Sequence, residues 1–247
     1  MQNYKLTLEY DGTHFSGWQI QGKAVRTVQG EIQKACTKIF GKKLTVIGSG
    51  RTDAGVHAKA QVANINVQTK LSEESLRAAL NAHLPDDIAV HKIEKVSKDF
   101  HAQFSARSKT YRYTVYNGRA RSALWRQFSA HYPYKVNLSR MKKEAKGLVG
   151  KHDFRSFQAS DAARKEADTV RVLKRLAIRK TLDFITIDIE ADGFLYKMVR
   201  NIVGTLLYCG SGKLDEGSMK KILLEKDRNA AGKTAPACGL CLLEVKY

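Results

Sequence analysis

Gly48-Ser49-Gly50-Arg51-Thr52-Asp53-Ala54-Gly55-Val56-His57-Ala58 is a glycine-punctuated stretch with apolar, strand-like residues on either side, Leu44 to Ile47 before it and Val62 to Val67 after it. Three glycines within eight residues let the backbone turn sharply and approach a ligand closely, at an entropic cost that an ordinary connection avoids. One carboxylate, Asp53, sits inside the turn, with the Arg51 guanidinium two residues before it and the His57 imidazole four after. Loops mounted between rigid strands are where reactive groups are commonly presented. The plainer reading, a glycine hairpin with a solvated aspartate, is the commoner one for such loops, and the rest of the chain must overturn it.

Two familiar motifs fail here. Gly50 and Gly55 have the spacing of a P-loop, but Val56-His57 stands where Lys-Ser/Thr is required. Gly48 and Gly50 begin a GxG, yet position 53 is Asp where a dinucleotide fingerprint needs glycine.

Outward from the loop, the chain reads as strands and helices in a repeating order. Tyr4 to Tyr10 alternates as a first strand. An aromatic, glycine-bearing loop from Asp11 to Gln19 follows, and Thr27 caps a helix with Val28, Ile32, Cys36 and Ile39/Phe40 at helical spacing, stopped by Gly41. Lys43 to Ile47 and Gln61 to Val67 form the two strands around the Asp53 loop. Ser72 opens a helix with Leu76, Leu80 and Leu84 inward, Pro85 closes it, and Ile88 to Val96 is a fourth strand. That order is βαββαβ, a ferredoxin-like unit.

The second half repeats the plan. Arg107 to Tyr116 is a strand with Tyr111, Tyr113 and Val115 alternating, and a short strand lies near Ala130 to Tyr134. Leu138 to Val149 is a basic helix, Thr169 to Arg179 and Phe184 to Glu190 are strands, and Phe194 to Cys209 is the longest apolar helix. After one more short helix, Leu240 to Val245 ends the sheet. The fold class is therefore α+β, with residues 1–104 and 105–247 as two similar halves and a cleft expected between them. Ser156 to Ala167 reads as a polar surface loop.

At 247 residues and 43% hydrophobic content the chain can bury a sizeable core. Its charge is unusual: 43 Lys+Arg against 24 Asp+Glu gives +19. Such a field attracts polyanions, of which nucleic acid is the commonest. No apolar run approaches the roughly 20 residues needed to span a bilayer, and Met1 to Leu6 lacks a signal-peptide pattern. A cytoplasmic protein is expected. Four cysteines (36, 209, 238, 241) make no disulfide framework at this size, and the Cys238-Gly-Leu-Cys241 pair has no partner pair with which to hold zinc. The seven histidines show neither HxxxH nor HExxH spacing, so no metal is expected. Gly232-Lys233-Thr234 resembles the end of a Walker motif, but Asp227 occupies its leading glycine position.

Asp53 is the only acid between Glu31 and Glu73, which argues against a local carboxylate pair of the glycosidase kind. A lone carboxylate can act as a nucleophile if cations keep it ionised in a water-poor site. Arg51 is one candidate cation. Arg200 is the better one, because a guanidinium among Met198, Val199, Ile202 and Val203 needs a buried acceptor unless it simply faces water. Ser108 to Tyr113 interleaves bases with aromatics on a strand, suited to stacking an unpaired base over a phosphate path. Tyr111 and Tyr113 read equally well as core residues with hydroxyls at the rim. Basic residues also cluster at Arg119, Arg121 and Arg126, at Lys142, Lys143 and Lys146, and along Arg171 to Lys180. Trp18 and Trp125 read as packing residues.

Gly50-Arg-Thr-Asp53-Ala-Gly-Val-His-Ala58 resembles the signature of the pseudouridine synthases, in their tRNA pseudouridine synthase A branch. Tyr10 to Gln19, Lys109-Thr-Tyr-Arg-Tyr113, Phe194 to Gly204 and Ala235 to Leu240 are similar to that branch in the same order, so the resemblance spans essentially the whole chain. It implies the pseudouridine synthase fold, two ferredoxin-like halves sharing an antiparallel sheet with a central cleft. It also implies an isomerase that converts uridine to pseudouridine at positions 38, 39 and 40 in the anticodon stem-loop of tRNA. By the same resemblance Asp53 matches the nucleophile, Tyr111 the tyrosine that stacks on the target base, Arg200 the arginine paired with the aspartate, and Arg51 the RNA-contacting arginine beside it. A homodimer with no metal or organic cofactor is implied, and Cys238 and Cys241 depart from the branch's usual small residues. A non-catalytic RNA-binding protein of ferredoxin-like fold is the competing reading. It lacks the aromatic ribonucleoprotein run and leaves the Asp53 loop without a purpose.

Overall fold

Strict alternation makes Gln2–Tyr10 (β1) a strand whose Tyr4, Leu6, Leu8 and Tyr10 are all buried. The computed structural model describes residues 1–22, 25–159 and 168–247. Two compact units stand out, Met1–Arg107 with Cys241–Tyr247, and Ser108–Leu240.

In the first unit, β1 is followed by α1 (Val28–Phe40), β2 (Val46–Gly48), β3 (His57–Val67), α2 (Glu73–His83) and β4 (Ile88–Val96). The Thr27 side chain accepts from the Gly30 N–H to start α1, and Gly41 ends it in the left-handed region at φ 66°. Ser72 likewise caps α2 by accepting from the Ser75 N–H. The strands lie in the order β4-β1-β3-β2, all antiparallel. Val28, Ile32 and Cys36 of α1 and Leu76 and Leu80 of α2 are fully buried with the apolar residues of these strands.

β3 begins at His57, four residues before the expected Gln61, and β2 is a three-residue strand starting at Val46. His57 and Gln61 thus belong to a rigid ladder, and the Asp53 loop is confined to the eight residues between Gly48 and His57.

The second unit runs β5 (Ser108–Tyr116), β6 (Ala130–His131), α3 (Leu138–Lys146), β7 (Gly150–Asp153), β8 (Val170–Thr181), β9 (Phe184–Ala191), α4 (Met198–Gly210) and α5 (Ser218–Glu225). β5, β9, β8 and β7 pair in that order, all antiparallel, while β6 pairs parallel with β5. The helix expected from Phe194 starts only at Met198, because Lys197 sits in the left-handed region (φ 57°) and breaks the helical path. α4 is almost wholly buried, from Met198 through Leu207.

The last strand, β10 (Leu240–Lys246), expected to end the sheet of the second half, pairs parallel with β3 through Cys241–His57 and Leu242–Ala58. This is a correction to the expected antiparallel sheet, as is the parallel β5–β6 pair. Along one edge of β3, β2 occupies Ala63 to Ile65 and β10 occupies His57 and Ala58. The expected surface loop from Ser156 does not begin as one: Ser156 and Phe157 lie in a one-turn 3₁₀ helix and are fully buried. The part of that expectation at 160–167 lies outside the described residues.

Candidate active site

The Asp53 loop is gripped by the neighbouring loop from Asp11 to Gln19. Trp18 N–H donates to the Thr52 carbonyl at 3.0 Å, Gly55 N–H to the Phe15 carbonyl at 3.4 Å, and Gly12 N–H to His57 Nδ1 at 3.0 Å. Two glycines permit the close approach. A Cβ at Gly12 would lie 2.0 Å from the Val56 carbonyl oxygen, and one at Gly17, where φ is +92°, would lie 2.6 Å from that of Thr52. Trp18 is 1% exposed and its indole packs over Gly48, so it is the packing residue expected. Trp125 is 49% exposed and meets the Phe184 ring edge-on.

Within this clasp Asp53 is half-buried and its carbonyl accepts from Val56 N–H at 3.1 Å, closing a turn. Arg51, on the same loop, is exposed. His57 is buried, and its Nδ1 also lies 3.1 Å from Asp11 Oδ1. Burial alone would raise the Asp11 carboxyl, but hydrogen bonds from Thr13 and the nearby His57 outweigh it and hold that carboxyl below the usual range.

Tyr111 and Arg200 belong to the second unit, whereas Asp53 and Arg51 belong to the first. Tyr111 is 8% exposed on β5 and meets the Phe194 ring edge-on at 5.1 Å between centroids. Tyr113, two residues on, is fully buried, and its hydroxyl donates to the Pro236 carbonyl at 2.7 Å. Of the two readings the sequence left open for this pair, Tyr113 takes the core one. Burial drives its phenol far above the ordinary value, with the Cys238 thiol adding to the rise and the Arg200 charge opposing it. Arg112, between them, forks onto Asp188 at 2.7 and 2.9 Å, and burial pushes the Lys109 ammonium down.

Arg200 occupies the first turn of α4 and is half-buried. Its Nε donates to the Ala235 carbonyl at 2.8 Å, while the Ala235 N–H donates back to the Arg200 carbonyl at 3.1 Å. The buried acceptor that the sequence demanded is thus, in part, a backbone oxygen. Behind it, Asn201 is fully buried; its amide donates to the Phe157 carbonyl, and its oxygen receives Thr234 Oγ1 at 2.6 Å and an Arg228 guanidinium N–H at 3.1 Å. Gly204 lets the 231–235 segment come in, since a Cβ there would lie 1.8 Å from the Lys233 carbonyl oxygen.

The basic residues expected to line a polyanion path are mostly at the surface. Arg119, Arg121, Arg126, Lys142, Lys143, Lys146, Lys174, Arg175, Arg179 and Lys180 are exposed. Among the described residues no group of three or more His, Cys, Asp or Glu is placed to hold a metal ion, and no helix is long and apolar enough to cross a membrane.

The sequence profile of the tRNA pseudouridine synthases matches residues 7–105 and 145–247. A protein of Thermoanaerobacter sp. (strain X514) called tRNA pseudouridine synthase A is 47% identical to this chain over 247 residues, covering 100% of both. The chain belongs to the tRNA pseudouridine synthase family. The proteins of that name from Ruminiclostridium cellulolyticum and Clostridium botulinum are 44% and 45% identical over the full length of both chains. Among solved structures, a Cbf5-Nop10-Gar1 complex superposes at a TM-score of 0.41 and 9% identity, over 96% of this chain and 57% of that one, too loosely to carry an argument.

For this synthase, what the sequence reading missed is the polar underpinning of the Asp53 loop: Tyr10, Gln61, Ser49 and Thr52, all buried and mutually hydrogen-bonded. One signal was available. Gln61 shares its strand face with Ala63, Ile65 and Val67, and a buried amide demands partners.

Proposed function

We infer that the chain converts uridine to pseudouridine in tRNA, at positions 38, 39 and 40 of the anticodon stem-loop, with Asp53 as the nucleophile. The observation that carries this reading is similarity at 47% identity along the full chain to a protein named tRNA pseudouridine synthase A, joined to a single carboxylate on a clasped loop. The reaction is an isomerisation. The bond from C1′ to N1 breaks, the base turns, C5 joins C1′, and the C5 proton is lost as N1 gains one. An ionised Asp53 can donate an electron pair to C1′ as N1 leaves and withdraw when C5 attacks, so the sugar is never an unstabilised cation.

In this reading the target uridine leaves its stack, at a cost of roughly a few kcal/mol, and packs against Tyr111. By the family resemblance Arg200 is the partner of Asp53, a cation whose charge favours an ionised carboxylate. Arg51, exposed beside Asp53, fills the space the uridine vacates and holds the RNA open. The exposed lysines and arginines hold phosphates, as a net charge of +19 favours. The enzyme acts as a cytoplasmic homodimer and needs neither metal nor organic cofactor.

The test is to map pseudouridine with a carbodiimide adduct and primer extension on a tRNA transcript carrying uridine at 38, 39 and 40. Adduct stops at those positions and nowhere else are expected. Stops outside the anticodon stem-loop would overturn the assignment of target, and tRNA binding without any stop would favour the RNA-binding module.

A further inference from the structure

The amide of Gln61 is fully buried at the foot of the Asp53 loop, and both its ends are engaged there. Its Oε1 accepts from Ser49 Oγ at 2.6 Å and from the Val62 N–H at 3.1 Å. Its Nε2 donates to the Gly50 carbonyl at 3.0 Å and to the Tyr10 hydroxyl oxygen at 3.5 Å. The amide cannot be turned over without setting its oxygen against the Gly50 carbonyl and its NH₂ against the Val62 N–H. Its donor end is therefore fixed toward Tyr10.

The Tyr10 oxygen accepts from Gln61 and shares a hydrogen bond with Thr52 Oγ1, 2.8 Å away. Burial pushes the Tyr10 phenol well above its ordinary value, so it remains a hydroxyl at neutral pH. Thr52, itself buried, is held at its hydroxyl by Tyr10 and at its carbonyl by Trp18. The peptide plane that leads into Asp53 is thus fixed on both sides, and Gly50, two residues earlier in the stem, is fixed by Gln61.

We propose that Gln61, Tyr10 and Thr52 form a hydrogen-bond relay that sets the orientation of the Asp53 carboxylate, and that they are positioning residues for its reaction. None of the three touches the RNA in this account; they act through the loop. The inference rests on Asp53 as the nucleophile. A reacting group displaced by as little as an ångström can lose on the order of a hundredfold in rate, so the relay governs turnover, while affinity for tRNA, set by phosphate contacts at the surface, is untouched.

The experiment is single-turnover tritium release from tRNA labelled at C5 of uridine, together with tRNA affinity and thermal midpoint, for Tyr10→Phe, Thr52→Val, Thr52→Ser, the double variant Tyr10→Phe/Thr52→Val, and Asp53→Asn. Tyr10→Phe and Thr52→Val are each expected to slow the chemical step roughly tenfold to a hundredfold with tRNA affinity unchanged. The double variant should be no slower than the worse single one, because both remove the same bond, and Thr52→Ser should restore the wild-type rate. Wild-type rates in Tyr10→Phe and Thr52→Val, with Asp53→Asn inactive, would overturn the relay alone. So would a fall in rate matched by an equal fall in the folded fraction or in affinity. An active Asp53→Asn would overturn the reading of Asp53, and the relay with it.

Discussion

Arg200 shows how one side chain can be legible in its need and not in its solution. A guanidinium in the apolar run Met198 to Val203 required an acceptor, and the sequence could say no more than that. The acceptor found is the carbonyl of Ala235, thirty-five residues on, reached because Thr234 and Arg228 anchor that segment to Asn201. Arg200→Lys keeps the charge but loses the Nε–H and the planar fork. Turnover should fall by at least about tenfold while the thermal midpoint moves little; an unchanged rate would remove Arg200 from the reaction. At Gly12 the need is for space. Gly12→Ala places a methyl 2.0 Å from the Val56 carbonyl oxygen, so the clasp on the Asp53 loop must open. Loss of both turnover and thermal stability is expected, measurable by tritium release and by calorimetry. The proposed site residues Asp53, Arg51, Tyr111 and Arg200 could be picked out because each falls in a motif that resembles the family's, whereas spacing alone left Tyr111 open between site and core. Tyr10 could not, since alternation makes a tyrosine in a strand look like ordinary packing, and only the fold brings it to the loop's stem.

At the scale of elements, α4 carries the most information. Its apolar pattern extends back to Phe194, and periodicity alone cannot see that Lys197 adopts φ 57° and delays the helix to Met198. A non-glycine residue there costs about 1–2 kcal/mol. Lys197→Gly should therefore raise stability by about 1 kcal/mol, read from chemical denaturation midpoints at constant slope. Gly204 makes the opposite case. Its missing Cβ lets the Lys233 carbonyl oxygen lie against the helix, and Gly204→Ala should cost about 3 kcal/mol or more. Equal stability of that variant would mean the 231–235 segment is not packed as described. The strands whose residues alternate cleanly, β1, β4 and β9, fall within a residue or two of where periodicity puts them. β2 and β6 are short, and their bounds depend on which neighbour they find.

For the whole molecule, the βαββαβ order of the first half was readable because each connection is local. The destination of β10 was not, because its parallel pairing with His57 and Ala58 joins residues far apart in sequence, and no periodicity encodes a partner. The charge of +19 was legible at once and has a direct consequence. Raising salt from about 50 to 200 mM should weaken tRNA binding by roughly a thousandfold or more if six or more phosphates are held. A flat salt dependence would remove the exposed basic clusters from the RNA path. Acid has a consequence of definite sign as well. Asp11, Glu94 and Asp153 are all held below the usual carboxylate range. Glu94 is lowered by bonds from Lys5 and Lys92, whereas in Asp153 burial acts upward and is outweighed by Thr169, the Arg155 N–H and Lys226. Each binds fewer protons folded than unfolded, so the stability it adds is complete above about pH 4 and is lost as pH falls through the lower folded values. The thermal midpoint should hold from neutrality to about pH 5 and then fall steeply.

The central claim is that one carboxylate, at Asp53, carries out an isomerisation of uridine in tRNA. The most direct measurement is tritium release from C5-labelled tRNA by the wild type beside Asp53→Asn, with tRNA binding followed for both. Release by the wild type alone, with binding retained by the variant, is the result expected. Equal release by both would contradict it, and so would binding by both with no release from either.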